Sequence, residues 1–142
     1  MKVCECHRDE INKHSWYIGG RYYRNSAKGA LHHYIWKLHN KVIPDGYEID
    51  HINRDRADNR IENLRLATHS QNNQNQSKRN DNSSGYIGVY KENRCERWSG
   101  DIKVDGKKIY VGCYSSPEEA AYIRDQFALQ LHGEFANTNF SW

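Results

Sequence analysis

The stretch "GYEIDHINRDRADNRIENLRLATHSQNN", residues 46–73, decides how the chain reads. It ends a short apolar strand on an Asp-His pair, Asp50-His51, and then spends one asparagine after another. Asparagine is a poor interior residue in helices and strands alike. A segment rich in it is either loop or a site that uses side-chain amides. Apolar spacing organises this one. Pro44-Asp45-Gly46 reads as a turn and Tyr47–Ile52 as a short strand. Ile61–Ala67 gives a second strand through Ile61, Leu64 and Leu66. Thr68 and Gln71 then form a capping box, so a helix starts at His69. The order is strand, loop, strand, helix. With the helix packed back on the hairpin, Asp50 and Asn72 can converge with two oxygens on one hard cation. Mg²⁺ commonly takes one or two protein oxygens, keeps waters, and binds substrate phosphate. At ideal pleat His51 points away from Asp50. A kink at the strand end is therefore required to bring His51 beside the ion. Asn59, in Asp-Asn-Arg, reads as a residue that only caps a turn.

Upstream, "WYIGGRYYRN" (16–25) reads as a hairpin around Gly19-Gly20. "ALHHYIWKLHN" (30–40) reads as a helix, with Leu31, Tyr34, Ile35 and Leu38 on one face and His32 and His33 on the same stretch. Downstream, "SQNNQNQSKRNDNSSG" (70–85) is a helix tail running into a linker. This predicts a first domain over 1–76, a linker over 77–84 and a second domain over 85–142. In the second, "YIGVY" (86–90), "WSGDIKV" (98–104) and "KIYVGCY" (108–114) read as strands, with Asp105-Gly106 as the hairpin turn between the last two. Ser116-Pro117-Glu118-Glu119 starts a helix, Ala120, Ile123, Phe127 and Leu131 line its apolar face, and Gly133 ends it.

The chain has 142 residues, room for one ordinary domain or two small ones. With 37% hydrophobic residues each core is small. No run of 18 apolar residues and no signal peptide is visible, so the expectation is a soluble, intracellular protein without a membrane. In a reducing compartment Cys4, Cys6, Cys95 and Cys113 are not a disulfide framework. Cys4-x-Cys6-His7, with His14 nearby, has spacing too tight for the usual structural zinc pairing. The expectation there is a frayed N-terminus with reduced thiols and no structural zinc. Charge is uneven. Residues 1–76 carry 12 Lys/Arg against 9 Asp/Glu, residues 77–110 carry 8 against 5, and residues 111–142 carry 1 against 4. That split suggests one face directed at a polyanion. The acids near the start of the last helix also answer its dipole.

"PDGYEIDHINRDRADNRIENLRLATHSQNN" resembles the HNH (His-Me finger) endonucleases, particularly the phage homing type. The motif elements are Asp50-His51, Asn63-Leu64 and Asn72 within Thr68–Asn73, and the likeness runs over residues 16–76. The resemblance implies a ββα-metal nuclease domain. It implies His51 as general base on the attacking water, Asp50 and Asn72 as ligands of one Mg²⁺ or Mn²⁺ ion, and Asn63 as the residue that orients loop and histidine. It implies 5′-phosphate and 3′-hydroxyl ends, double-stranded DNA as partner, and a phage-encoded protein acting in the cytoplasm of the bacterial host. One base and one ion per chain imply that a monomer nicks one strand. A double-strand cut then needs a dimer or two sequential nicks, and the expected state is a monomer or weak dimer.

Residues 84–140 resemble the apetala/ethylene-response-factor DNA-binding domain. The likeness is carried by Gly85-Tyr86-x-Gly88-Val89, Trp98-x-x-x-Ile102, Gly112-x-Tyr114, Glu119-Ala120-Ala121 and Gly133-x-x-Ala136-Asn137-x-Asn139-Phe140. It implies a three-stranded antiparallel sheet packed on one helix, with the sheet laid in the major groove. Lys91, Arg97, Lys103, Lys107 and Lys108 read as phosphate contacts, and Tyr110 as a further DNA contact. Trp98 reads equally as core or as DNA contact. The fold class expected for the whole is α+β and the function a metal-dependent, site-selective, homing-type DNA endonuclease that nicks or cleaves. The rival readings are a catalytically silent DNA-binding protein and a nuclease without sequence preference.

Overall fold

The computed structural model describes residues 1–75 and 83–142. Most of the expected linker, residues 77–82, lies outside the described residues. The chain divides into two units, Met1–His69 and Ser70–Trp142.

The first unit opens on a 3₁₀ turn, Glu5–His7, and α1, Arg8–Asn12. A meander follows: β1 (Tyr17–Gly19), β2 (Tyr22–Asn25) and β3 (Gly29–Ala30), antiparallel in that order. Gly19 pairs with Tyr22, so the expected hairpin is present but turns on Gly20-Arg21, with Gly20 at φ +68°. That conformation is open to glycine at no steric cost. Helix α2 spans Leu31–Leu38. Its buried side is Leu31, His32, Ile35 and Trp36, rotated from the expected stripe, and Tyr34 and Leu38 are half-buried. Strand β4 (Tyr47–His51) pairs antiparallel with β5 (Leu64–Thr68) across a long loop closed by a 3₁₀ turn at Ile61–Asn63. Ile11, Leu31, Ile35, Trp36, Ile49 and Leu64 form the core. The N-terminal segment is not frayed. Ile11 is 1% exposed, Lys2 N–H donates to Ala57 O at 2.6 Å, and Asn59 N–H donates to Lys2 O at 2.8 Å. One buried isoleucine and a strand-like bridge between Lys2 and Asp58 tie it down. Helix α3, His69–Gln74, follows β5 directly and carries the division between the units.

The second unit is one three-stranded antiparallel sheet with one helix against it. Strands β6 (Val89–Lys91), β7 (Trp98–Val104) and β8 (Lys107–Tyr114) lie in sequence order. The β7–β8 turn is Asp105-Gly106, with φ +48° and +81°. Helix α4 spans Pro117–His132. Ser116 caps it by accepting Glu119 N–H at 3.1 Å, and Gly133 ends it. The buried side of α4 is Ala120, Ala121, Arg124, Asp125 and Ala128, not the expected stripe: Phe127 and Leu131 are exposed. Small residues win this face because the sheet comes close. A Cβ on Gly100 would sit 2.6 Å from Val111 Cγ2 and 3.5 Å from Ala120 O. Trp98 is half-buried and packs against the core of Val89, Ala120 and Ala121. Asp125, 0% exposed, accepts the backbone N–H groups of Asn139 and Phe140, while Asn139 bonds both ways to the Ile87 backbone. The Asn137-x-Asn139-Phe140 run is therefore a clasp that ties the chain end to the sheet.

Candidate active site

The asparagines of the β4–β5 loop are cross-links. Asn63 Oδ1 accepts Asn53 N–H at 3.0 Å, and Asn63 Nδ2 donates to Asn53 Oδ1 at 2.9 Å and to Asp58 O at 2.8 Å. Asn53 Nδ2 donates to Asp58 Oδ2 at 3.1 Å. An amide supplies a donor and an acceptor on one rigid plane, so two such residues can satisfy a long loop that has no ladder of its own. Asp58 is the loop's buried anchor at 0% exposure. The Arg60 guanidinium, bonded at 2.8 and 2.7 Å, holds its carboxyl down to about 2 against the opposing effect of burial.

The loop delivers one further amide to His51. Asn59, 1% exposed, places Oδ1 3.2 Å from His51 Nε2, and its Nδ2 donates to Arg56 O at 3.4 Å. That second bond orients the amide. A carbonyl oxygen only accepts, so the neutral imidazole carries its hydrogen on Nε2 and its basic lone pair on Nδ1. The sequence reading assigned the orienting role to Asn63 and left Asn59 as a turn cap. The structure puts Asn63 on the loop backbone and Asn59 on the histidine. The nearby Asp-Asn-Arg run was the one signal, and it looks like any turn.

His51 is 4% exposed. His32 from α2 meets its ring edge-on at 5.2 Å, and Tyr22 from β2 stacks beside it at 6.2 Å. The Arg56 guanidinium lies over the Tyr22 ring at 5.2 Å. Burial pushes the His51 imidazole below its ordinary range, opposed by the Asn59 bond and the Asp50 charge. Burial thus favours the neutral imidazole over the charged one. His32 goes further: burial, with His33 and His51 alongside, lowers it to about 3.

Asp50 is 6% exposed and pairs across the hairpin with Arg65. Arg65 Nε and Nη2 both reach Asp50 Oδ2 at 2.9 Å. Strand β4 ends at His51, where Arg54 N–H closes a turn onto His51 O at 2.9 Å with Arg54 at φ +64°. The ladder stays regular through His51, paired with Leu64, so the chain turns only after His51 and no kink falls between Asp50 and His51. A carboxylate and an amide oxygen are the donors a hard divalent ion prefers, so Asp50 and Asn72 fit such an ion by chemistry. Asn72 lies on α3, beyond the division between the units.

In the second unit, register sorts the expected DNA contacts. Lys103 pairs with Lys108 and Asp101 with Tyr110, on the side of the sheet away from buried Ile102. Lys103, Lys108 and Tyr110 thus share the outer face with Tyr90. Lys108 ion-pairs with Asp101 at 2.7 Å and lies over the Tyr90 ring at 5.8 Å. Lys91 pairs with half-buried Trp98 and Lys107 with Val104, so both have the opposite parity. Arg97 is exposed just before β7.

Comparison with known proteins follows the same geography. Residues 30–74 match the family described as HNH endonuclease. The chain is 33% identical over 115 residues to "Protein 3.8" of Escherichia phage T7, covering 80% of this chain and 94% of that one. It is 34% identical over 134 residues to "Uncharacterized HNH endonuclease L560" of Acanthamoeba polyphaga mimivirus, covering 91% of this chain and 68% of that one. It is also 35% identical over 63 residues to "Uncharacterized gene 5.3 protein" of Enterobacteria phage T3, covering 44% and 62%. The first two likenesses are longer than either unit, so they span both. No helix among the described residues is long and apolar enough to cross a membrane.

Proposed function

The chain belongs to the HNH endonuclease family, and on that premise we propose that it nicks double-stranded DNA at selected sites, with His51 as the general base. The carrying observation is His51 itself: buried, with burial lowering its pKa, and bonded through Nε2 to Asn59. Its Nδ1 lone pair takes the proton of the attacking water. Asp50 and Asn72 hold one Mg²⁺ or Mn²⁺ ion, and that ion supplies charge stabilisation for the phosphate and the leaving 3′ oxygen. Asn59 keeps the His51 ring in one tautomer. Asn63, with Asn53 and Asp58, keeps the loop that carries Asn59. Arg56, exposed beside Tyr22, offers its guanidinium to a phosphate next to the one attacked.

The second unit holds the chain on duplex DNA. Its likeness to the apetala/ethylene-response-factor domain, and the row of Lys103, Lys108 and Tyr110 on one sheet face, support major-groove docking, with Arg97 reaching a phosphate at the edge. Homing-type selectivity, a phage origin and action in the host cytoplasm belong to the same reading. One observation favours a second one: Arg65 already neutralises Asp50, as a cation would, which is what a catalytically silent DNA-binding protein needs.

Supercoiled plasmid separates the two. The wild-type chain with Mg²⁺ is expected to give open circle, EDTA to stop it, and His51→Ala to lower the rate by about 10²- to 10⁴-fold with an unchanged circular dichroism spectrum. Retention of plasmid in a mobility shift without any nicking would establish the silent reading instead.

A further inference from the structure

The N-terminal segment holds a second set of metal donors, of a different kind. Cys4 Sγ, Cys6 Sγ and a ring nitrogen of His7 all lie within 4.8 Å of one another, and Cys6 Sγ is 3.5 Å from His7 Nδ1. Metal–sulfur and metal–nitrogen bonds of about 2.3 and 2.0 Å place neighbouring ligands of a tetrahedral site roughly 3.3–3.8 Å apart. The cluster is already near that spacing. The tight Cys-x-Cys-His run works here because it leads into a 3₁₀ turn, closed by His7 N–H on Cys4 O at 3.1 Å. Three residues per turn bring positions 4 and 7 onto one side.

A fourth donor lies beside His7, outside the 4.8 Å group. His39, at the end of α2, meets the His7 ring edge-on at 4.6 Å. Its Nε2 is buried and has no hydrogen-bond partner. A ring nitrogen held out of water without a partner is destabilising unless something it can bind arrives. Ile61 N–H also points at Cys4 Sγ at 3.4 Å, the kind of amide-to-sulfur bond that supports a thiolate ligand. The geometry points to a structural site for a thiolate-preferring divalent ion of the zinc class, ligated by Cys4, Cys6, His7 and His39. It staples the N-terminal segment to α2. Through the Lys2 bonds to Ala57 and Asn59, it also braces the loop that carries Asn59. The sequence expectation of no zinc rested on spacing along the chain, and His39 is invisible to such spacing.

Cobalt titration of the reduced full-length chain tests this. One equivalent of Co²⁺ is expected to give sulfur-to-metal charge transfer in the near ultraviolet and strong visible absorption from tetrahedral cobalt, both displaced by Zn²⁺. An oxygen-ligated site around Asp50 gives no charge transfer, so His51→Ala should leave the spectrum unchanged. Cys6 is exposed, so Cys6→Ser tests the site without endangering the fold, and it should lose about half or more of the charge-transfer intensity, what remains belonging to Cys4. His39→Ala should lose the tetrahedral intensity. Absence of charge transfer in the wild type, or its undiminished intensity in Cys6→Ser, overturns the site. An unaltered visible spectrum in His39→Ala removes His39 from it.

Discussion

His51 takes its chemistry from two neighbours that act in different ways. Asn59 sets where the proton sits, and burial sets whether there is one to spare. With His51 as the proposed general base, Asn59→Ala should slow the proposed nicking by about tenfold or more, since a base misaligned or in the wrong tautomer loses part of its 10²- to 10⁴-fold contribution. Asn59→Asp keeps an acceptor at Nε2 but adds a negative charge, which raises the imidazole pKa. It should recover rate at high pH while shifting the acid limb of the single-turnover profile upward. A purely structural Asn59 would give two equally slow variants with the wild-type profile. His32 makes the complementary prediction about stability. Its pKa falls from 6.5 to about 3 on folding, so between those values the unfolded chain binds a proton that the folded chain refuses. Stability then rises with pH across this window. It is complete above 6.5 and is lost as pH falls. Denaturant titrations from pH 7 to 4 should show a shallower acid loss for His32→Leu than for wild type, by at most ~1.4 kcal/mol per pH unit. Equal slopes would mean His32 charges freely in the fold.

At the scale of elements, close approach rather than bulk holds α4 to its sheet. Gly100→Ala would force a methyl against Val111 of the neighbouring strand and set it in ordinary contact with the Ala120 carbonyl, and overpacking of the first kind costs about 1–3 kcal/mol. The expected outcome is a lower denaturation midpoint with an unchanged m-value. A neutral result would show that Val111 simply changes rotamer. This packing also explains what could be read from the sequence. Strands β7 and β8, the Asp105-Gly106 turn and the Ser116 cap are dictated locally, by alternation, positive φ and an orphan amide, and they stand where the sequence puts them. The α4 stripe does not. Periodicity favours large apolar residues such as Phe127, whereas the sheet selects alanines and then buries Arg124 and Asp125 to clasp the chain end. The candidate site divides the same way. Asp50 and His51 are legible as a pair at a strand end, and the asparagine-rich stretch as a site, but Asn59 within it reads as a turn cap. Which amide touches His51 depends on the path of a loop cross-linked by Asp58, and Tyr22 and His32 arrive from elements far away in the chain. Nothing local marks them.

Across the whole molecule, charge is distributed more selectively than the net +3 conveys. The acidic C-terminal stretch is largely spent on structure: Asp125 is buried in the clasp and Glu119 bonds to Ser115 at the start of α4. What remains for a polyanion is the lysine row, and sheet parity divides that row into two sets. Lys103 stands on the outer face with Tyr110, while Lys91 has the opposite parity and faces Glu96 at 3.6 Å. Each phosphate neutralised by a lysine contributes roughly one to the slope of log K against log salt. Lys103→Ala should therefore weaken binding to all duplexes alike and lower that slope by about one, whereas Lys91→Ala should leave it nearly unchanged. Lys108→Ala carries a different signature. It uncovers the half-buried Asp101 carboxylate that Lys108 now neutralises at 2.7 Å, so a repulsive charge replaces an attractive one on the docking face. Its affinity loss should exceed that of Lys103→Ala, and Asp101→Asn in the same chain should recover part of it. Fluorescence anisotropy on a short duplex across a salt series reads all four proteins. A dominant effect from Lys91, with Lys103 silent, would place the DNA at the edge of β6 and not on the outer face of the sheet.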